Sequence, residues 1–462
     1  MSRSLKCVLA LLLFTSAASA TVTPEVAQEL YGRVSPSLVA VQYIFQNPLG
    51  RIELTGSGVI VSEDGLVMAS IMLFPTQFPD DEMKDFKILV PREDGEPTEY
   101  EAVFQGRDER TNLAFLKTKE SQHWKPIQFE DQKVKIGEPI LSIGMLPKGA
   151  NYKTYFVEGA VSAMLRGEIP QVLVTGGGLA AMGSPAFTAE GKAVGMVGPN
   201  GTSPFLNDTR GNSELQMVMN PPRYYIPARD FVIGIQDPPT PDKPIKLPWI
   251  GVSEMNGVTK DLADVLGLGN QPAIQIGDVI PNAPAEKAGI KAGDIIVKLD
   301  GKPLERGDQP VELPLILAHS LRRMKPGEKV TLSIMREKDQ PLKDVELTLG
   351  EQPPGANLAK RFFADDLGFE SRALAFNDIY GLKLPPEQKG VIVSLLRPQG
   401  AAQTGGLHMQ DVISKLDSEP VTDIEQFKKT YEQIRKDKPK EAIVMEVRRG
   451  DRENTVRIEP PQ

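Results

Sequence analysis

The chain has 462 residues, of which 40% are hydrophobic and 25% are charged, and its formal net charge is -8. This length exceeds what one hydrophobic core serves, so we expect two to four domains of ordinary soluble composition. The acidic balance and the lack of a concentrated basic face exclude nucleic acid as an expected partner.

The first 20 residues predict a secretory signal peptide. Arg3 and Lys6 give a positive start, the apolar run CVLALLLF follows, and residues 18–20 fit the small-residue cleavage rule. The run is shorter than the roughly 20 residues that cross a bilayer, and an uncleaved anchor is the alternative. The only cysteine, Cys7, lies in this segment, so we expect neither disulfides nor cysteine-based metal sites in the exported, periplasmic or extracellular mature chain.

Residues 21–236 have the pattern of successive short strands with glycine turns. TGSGVIVSEDGLVMAS predicts two strands joined by a Glu-Asp-Gly turn, and strand patterns continue in NLAFLKT, EPILSIG, FVEGAVSAML, QVLVT and KAVGMVG. Such a series is typical of an all-β sandwich or barrel. Proline-rich stretches at 237–247 and 351–359 predict linkers, which leave 248–350 and 360–462 as further domains.

The segments 248–350 and 360–462 repeat each other at a constant spacing of 117 residues. The pairs that keep this spacing are Gly251 and Gly368, Gly289 and Gly406, Asp294 and Asp411, Leu299 and Leu416, and Pro303 and Pro420. One spacing held over this length predicts a duplicated domain. Each copy shows a strand, a glycine-rich turn, a short helix, another strand and an amphipathic helix, the last at roughly 311–324 or 423–436.

Together these features resemble the HtrA/Deg family, in which a trypsin-like domain precedes two PDZ domains. The resemblance covers essentially the whole mature chain. It implies a mainly β fold, with a double six-stranded β-barrel followed by two small barrels or sandwiches that have two helices each. In this family a PDZ peptide groove opens at a Tyr-Leu-Gly-Val-like loop. The matching residues here are Trp249, Ile250, Gly251 and Val252 in the first copy and Leu367, Gly368 and Phe369 in the second.

Such a loop would bind peptides by strand addition. The incoming peptide pairs as an extra strand, and glycine lets the loop aim backbone N–H groups at the terminal carboxylate. We therefore expect Gly251 to serve peptide binding, with an ordinary strand start in the core as the alternative for both loops. For the second copy, Asp366 brings a negative charge next to the carboxylate site and weighs against peptide binding. The resemblance offers a role in assembly as a further interpretation, since a second PDZ domain can serve assembly in this family.

Two catalytic positions of the trypsin-like domain hold unsuitable residue types. A serine protease needs a nucleophilic serine, a histidine base and an aspartate that orients the histidine. The run GSGVIVSEDGLVMASIML places Met72 at the histidine, and DERTNLAFLK places the uncharged Asn112 at the aspartate. A thioether is not a base at neutral pH, so we expect Met72 to be a buried apolar residue.

The serine position has two interpretations. Counting back from Pro185 in LAAMGSPAF puts Met182 on the serine and Gly183 on the glycine after it. The stretch is shorter than in the family, so a gap at the glycines would instead make Ser184 the nucleophile. We favour Met182, since Gly183 then keeps its place beside the turn.

Ser184 would still need a base. Of the three histidines, His319 and His408 fall in the repeats, and His123 reads as an exposed turn residue. A lysine base is conceivable, but no pattern selects one. The sequence shows no metal-ligand spacing, and no metal or cofactor is expected.

The sequence thus predicts an exported pseudoprotease whose PDZ copies bind extended or C-terminal segments of unfolded exported proteins. It would act as a chaperone-like scaffold, or as a regulator that assembles with active family members. The alternatives are an active quality-control endopeptidase using Ser184 and a purely structural protein. Family members are commonly trimeric, so a homo-oligomer of three or more chains is expected, with Tyr31, Val34, Leu38 and Tyr43 as contacts or as ordinary core residues.

Overall fold

A computed structural model of the chain describes residues 22–92, 94–120, 122–165, 169–198, 224–307, 309–338 and 340–461. The predicted signal segment, including Cys7, lies outside the described residues. Within those ranges no helix has the length and apolar character needed to cross a membrane.

A helix and a closed six-stranded barrel open the fold. The helix is α1 (Pro24–Val34), and the strands are β1 (Leu38–Asn47), β2 (Gly50–Ile60), β3 (Leu66–Ser70), β4 (Met83–Val90), β5 (Thr98–Asp108) and β6 (Leu113–Thr118). The barrel closes in the order β1-β2-β3-β6-β5-β4, with every pair antiparallel. The predicted two-strand unit around the Glu-Asp-Gly turn is β2 and β3.

A second closed barrel follows in the order β10-β11-β12-β9-β8-β7. Its strands are β7 (Pro139–Met145), β8 (Thr154–Leu165), β9 (Gln171–Gly176), β10 (Pro185–Thr188), β11 (Ala193–Val197) and β12 (Tyr224–Pro227), and α2 (Val232–Gln236) comes next. Buried side chains of both barrels, such as Phe115, Ile143 and Phe187, belong to one core cluster. The predicted double six-stranded barrel is therefore confirmed.

The residues near the start of the barrels pack mainly into the core. Val34, Leu38 and Tyr43 are all buried, whereas the exposed Tyr31 uses its hydroxyl to donate to the carbonyl oxygen of Thr154 (3.2 Å). This placement favours the core interpretation for the three buried side chains.

The first copy of the repeat is an open antiparallel sheet with helices. Its elements are β13 (Pro248–Trp249), β14 (Val252–Gly257), α3 (Lys260–Leu266), β15 (Ile274–Val279), α4 (Pro284–Lys287), β16 (Ile295–Leu299), β17 (Lys302–Pro303), α5 (Leu313–Arg322), β18 (Lys329–Met335), β19 (Lys343–Thr348) and β20 (Gly350–Glu351). The main order is β14-β15-β16-β18-β19, and β13 pairs with β20 instead of β14.

The second copy has the same plan with a different edge. Its elements are β21 (Arg361–Ala364), β22 (Phe369–Ala373), α6 (Phe376–Gly381), β23 (Val391–Leu396), α7 (Ala401–Thr404), β24 (Val412–Leu416), β25 (Glu419–Pro420), α8 (Ile424–Asp437), β26 (Ile443–Arg449) and β27 (Arg452–Ile458). The order is β21-β22-β23-β24-β26-β27. Beside the two expected helices, the described part of each copy contains one more, α3 or α6.

The duplicated aspartates make the same kind of contact, with an arginine, in both copies. Arg336 donates to Asp294 (Nε–Oδ1 2.9 Å) and to the carbonyl oxygen of Gly289. Arg449 makes the matching contact with Asp411 (Nη2–Oδ2 2.7 Å) and also donates to its own copy's glycine carbonyl. The repeated sequence positions therefore hold the turn after the short helix to the end of β18 in the first copy and of β26 in the second.

Candidate functional site

A cleft between the two barrels carries two of the candidate catalytic positions, Met72 and Met182. Its cavity of about 570 Å³ is lined by β2, the turn after β3, the β7–β8 connection and the loop before β10. The apolar side chains on its wall include Leu54, Met72, Leu73, Met145, Leu146 and Met182. The structure thus brings Met72 and Met182 to one cavity, from opposite barrels.

Met72 lies on a single helical turn, Ile71–Leu73, directly after β3. The turn begins at Ser70, whose hydroxyl accepts a hydrogen bond from the Met72 N–H (3.3 Å). The Met72 side chain is 57% exposed. The expectation that it would be a buried apolar residue is therefore wrong, because this turn leaves the barrel wall and presents the side chain to the cleft.

Asn112 is held next to the turn that carries Met72. Its carbonyl oxygen accepts from the N–H of Ile71 (3.0 Å), and its backbone is left-handed with φ 56°. The neighbouring carboxylate, Asp108, is buried and bound through both oxygens by Arg110 (2.9 Å each). Asp108 is therefore committed to a structural ion pair and does not replace the missing aspartate.

Ser184 lies outside the cleft lining. It is 1% exposed, and its hydroxyl has no hydrogen-bond partner among the described residues. A Cβ atom placed on Gly144 of β7 would come within 2.8 Å of the Ser184 Oγ, so the hydroxyl packs against that strand inside the second barrel. The preceding Gly183 has φ 86° and donates its N–H to the carbonyl oxygen of Val197 (2.9 Å), which turns the chain between Met182 and Ser184.

The three histidines of the chain lie away from the cleft lining. His123 and His408 are exposed. His319 is on α5, where its Nε2 is 4.0 Å from Asp230 Oδ1 at the end of the second barrel. None of them is placed to accept a proton from a group in the cleft.

Sequence reasoning did not single out the polar side chains of the cleft, which include Glu53, Lys148, Tyr152 and Tyr155. The hydrogen bond from Lys148 to Glu53 (Nζ–Oε1 2.8 Å) raises the pKa of the lysine, which therefore stays charged. Burial raises the pKa of Tyr152 and of Tyr155, so both phenols stay protonated at neutral pH. These residues come from separate strands and turns, and no local motif marks them.

The loop glycine of the first copy is required by its geometry. Gly251 has φ 81°, and a Cβ there would lie 2.2 Å from the Cβ of Ala283. Its carbonyl oxygen accepts from Ile280 N (3.0 Å), while Ile250 is buried and accepts from Ala285 N (2.7 Å). The backbone on both sides of the glycine is thus fixed against the turn before α4.

The strand after this loop has one unpaired edge. β14, which begins at Val252, pairs with β15, and no other described strand joins it. Ser253, Glu254 and Asn256 are exposed along it, and α5 packs beside it. The neighbouring Trp249 instead stacks edge-to-face on Phe376 of the second copy, with ring centroids 5.2 Å apart.

The loop of the second copy is packed more tightly. Leu367 and Phe369 are fully buried on either side of Gly368, which has φ 72°. The charge of Asp366 is met by α8, because the Tyr431 hydroxyl donates to one of its oxygens (2.5 Å) and Arg435 pairs with the other (2.6 Å). The following strand, β22, pairs with β23 on one side and with β21 on the other.

Two family models match the chain, one in the barrels and the other in the two copies of the repeat. The trypsin-like peptidase domain matches residues 56–196. The PDZ domain matches residues 250–349 and 379–459. The first match contains all the candidate catalytic positions, and the second falls on the first copy of the repeat and on the second copy from residue 379 onward.

Curated relatives match nearly the whole chain. A protein named "Probable periplasmic serine endoprotease DegP-like" from Bartonella henselae is 26% identical over 447 residues, covering 93% of this chain and 79% of the relative. A protein of the same name from Hahella chejuensis is 27% identical over 415 residues, covering 85% of this chain and 79% of the relative.

Solved structures share the fold. The HtrA-type protease AlgW with a tripeptide has a TM-score of 0.52 and 18% sequence identity, covering 71% of this chain and 98% of that chain. The same protease with a decapeptide has a TM-score of 0.51 at 19% identity, covering 71% and 99%. The fold comparison therefore agrees with the family models.

Proposed function

Since this chain belongs to the HtrA/DegP family of trypsin-like serine proteases with two PDZ domains, we propose that it is an exported pseudoprotease that binds peptide segments without cutting them. The cleft carries this proposal: Met72 and Met182 line it at the positions proposed for histidine and serine. A thioether neither accepts a proton at neutral pH nor acts as a serine-type nucleophile. Asn112, on the adjoining turn, would supply no charge to orient a base.

Binding without cleavage fits the open surfaces of the molecule. The free edge of β14 can accept an extended or C-terminal segment as an added strand. The solved relative AlgW is recorded with a tripeptide and with a decapeptide. The methionines of the cleft offer flexible, polarizable contacts that adapt to varied apolar side chains. We infer a chaperone-like or regulatory scaffold for unfolded exported proteins, acting alone or with active family members.

The proposal also includes the cellular compartment in which the protein works. Relatives from two organisms carry the word periplasmic in their names, and the first residues of this chain predict a signal peptide. We propose that the mature protein works in the periplasm, as a homo-oligomer.

The competing function is an active endopeptidase that uses Ser184. The names of the relatives, which call them serine endoproteases, favour it. The geometry opposes it, because the Ser184 hydroxyl is enclosed in the second barrel against Gly144 and the histidines are elsewhere. A nucleophile must reach the carbonyl that it attacks, within about 3–3.5 Å.

A fluorophosphonate probe separates the two functions. We expect no labelling of the wild-type chain and no turnover of casein. The positive control is the triple variant Met72→His/Asn112→Asp/Met182→Ser, which returns the family residue types to the three positions; we expect this variant to be labelled at position 182. Labelling of the wild type that disappears in Ser184→Ala would overturn the pseudoprotease proposal.

A further inference from the structure

The edge of β22 in the second PDZ domain is covered by a strand of the same chain. β21 pairs with it so that Phe362 lies opposite Ser371 and Ala364 opposite Phe369. β21 runs towards Gly368 and antiparallel to β22. This is the direction that a C-terminal peptide must take if its last residue is to reach the glycine loop.

Side chains of β21 fill the space between β22 and α8. The Phe362 ring lies 5.9 Å from that of Phe427 and 5.5 Å from that of Tyr431, both on α8. Ala364 is 1% exposed and belongs to the same core cluster. Because residues two apart share one face of a strand, Phe362 and Ala364 take the places of two alternate side chains of a bound peptide.

The position of a terminal carboxylate is also taken. The carbonyl oxygen of Ala364 accepts a hydrogen bond from the N–H of Gly368 (2.8 Å). A loop N–H of this kind would otherwise face the carboxylate of a captured peptide. The adjacent Asp366 is neutralised by Arg435 (Nε–Oδ2 2.6 Å), so the loop is satisfied without an external anion.

Within the residues that the structure describes, the first PDZ domain has no equivalent of β21. By the repeat spacing of 117, β21 corresponds to residues 244–247, the stretch PIKL. Pro244 and the following Pro248 have no N–H to give to a strand ladder. The carbonyl oxygen of Leu247 accepts instead from Gln352 N (2.8 Å), so this segment pairs away from β14.

We propose that residues 361–364 are an internal ligand that fills the peptide groove of the second PDZ domain, leaving the first domain as the one that captures external C-terminal peptides. The consequence rests on the proposed function, since it assigns peptide capture to a single groove. The tether, residues 365–368, is short, and a short tether gives an effective concentration in the millimolar range. A peptide of micromolar affinity does not displace such a strand at micromolar concentration.

Hydrogen exchange followed by mass spectrometry tests this in the full chain, because it reports on β14 and β22 separately. The probe is a synthetic peptide of residues 359–364, AKRFFA, with a free carboxylate. The releasing variant is Phe362→Asp, which removes the ring that packs on α8. The matched control is Phe363→Asp on the same strand, because Phe363 lies under the guanidinium of Arg397 (5.4 Å to the ring centroid) rather than against α8.

In the wild type and in Phe363→Asp we expect β22 to be protected without peptide and unchanged when the probe is added. In Phe362→Asp we expect exchange in β22 to accelerate at least about tenfold, and the probe to restore protection. A wild-type β22 that gains protection from the probe would overturn the proposal.

The wild-type measurement can still overturn the proposal if Phe362→Asp unfolds the domain, which would show as fast exchange throughout β23 and β24. Failure of this proposal can also be told apart from failure of the proposed function. Serine reactivity is read by the fluorophosphonate probe and cleavage by casein turnover, and loss of peptide binding at β14 would leave the state of β22 unaffected.

Discussion

In the first PDZ domain, the strand that leaves the loop glycine is exposed at Ser253 and Glu254, whereas the matching strand of the second is buried from Phe369 to Ser371. The two domains otherwise share their internal supports: a left-handed glycine in the loop and an aspartate–arginine pair behind it. The duplicated residues therefore preserve the scaffold of the PDZ domain. The open or covered state of the groove depends on the few residues before the loop, where the copies differ.

The largest expected effect on peptide binding separates the two loop glycines. Gly251→Ala places a Cβ 2.2 Å from the Cβ of Ala283 at a φ of 81°, so the loop must shift and its N–H groups lose their aim. We expect peptide affinity to fall by about tenfold or more, equivalent to about 1.4 kcal/mol. The measurement is fluorescence anisotropy with the strongest binder from an array of decapeptides that have free apolar C termini.

Gly368→Ala is the matched control for this experiment. It also has a left-handed loop position, with φ 72°, and its Cβ would meet Arg397 Cβ at 3.0 Å. We expect the second domain to lose stability while peptide affinity stays at the wild-type value. Equal losses of affinity in the two variants would mean that both grooves capture peptides, and the contrast between the domains would fail.

The next expected effect is on stability, and it tests whether the aspartate–arginine pair contributes equally to the two PDZ domains. Asp294→Asn and Asp411→Asn each remove a buried carboxylate that an arginine holds through charge-assisted hydrogen bonds. Such bonds contribute about 1.5–3 kcal/mol, so we expect similar losses of unfolding free energy in the two domains, measured by urea denaturation. Glu441→Gln, which removes only the surface contact with Lys438 (3.9 Å), should change the free energy of unfolding by less than about 0.5 kcal/mol. If the free energy of unfolding of one domain did not change, the aspartate–arginine pair would not stabilise the two copies in the same way.

Sequence patterns were sufficient to predict the scaffold of the two PDZ domains, because the residues that determine it lie close together in the sequence. The spaced glycines mark left-handed turns, and Asp294 and Asp411 keep their positions relative to those turns. The cleft was less predictable. An apolar residue such as Met72 is expected to be buried, and only the turn after β3 shows that it faces the cavity.

The closed groove of the second domain was not predicted, since it depends on contacts between distant parts of the chain. Asp366 was expected to repel a carboxylate, but its charge is matched by Arg435 on α8. The stretch RFFA reads locally as any short apolar strand. Its role as a strand that fills the groove follows from the contacts of Phe362 with Phe427 and Tyr431. No pattern of spacing in the sequence predicts these contacts.

The last expected effect concerns a residue of the first barrel that lies near the covered edge of the second PDZ domain. Glu82, on the loop before β4, lies close enough to β21 and β22 for their charges to act on it. Burial and then the charge of Glu370 raise the pKa of Glu82 to about 7, opposed by Arg361 and Lys84 and aided by Asp81. A carboxyl whose pKa is raised in the folded chain favours folding while it is protonated. Stability should therefore fall as pH rises from about 4.5 to about 7 and change little beyond that range.

Glu82→Gln removes this titration, so its advantage in thermal stability over the wild type should grow between pH 4.5 and 7 and then level off. Scanning calorimetry across this range makes the comparison. The control is Asp85→Asn on β4, whose exposed carboxylate pairs with Arg51 (2.9 Å). Parallel curves for Glu82→Gln and the wild type would show that the covered edge of the second PDZ domain does not dock on the first barrel. The two PDZ domains would then differ only in whether the groove is open or covered. The covered edge would not contribute to the contact between the second domain and the first barrel.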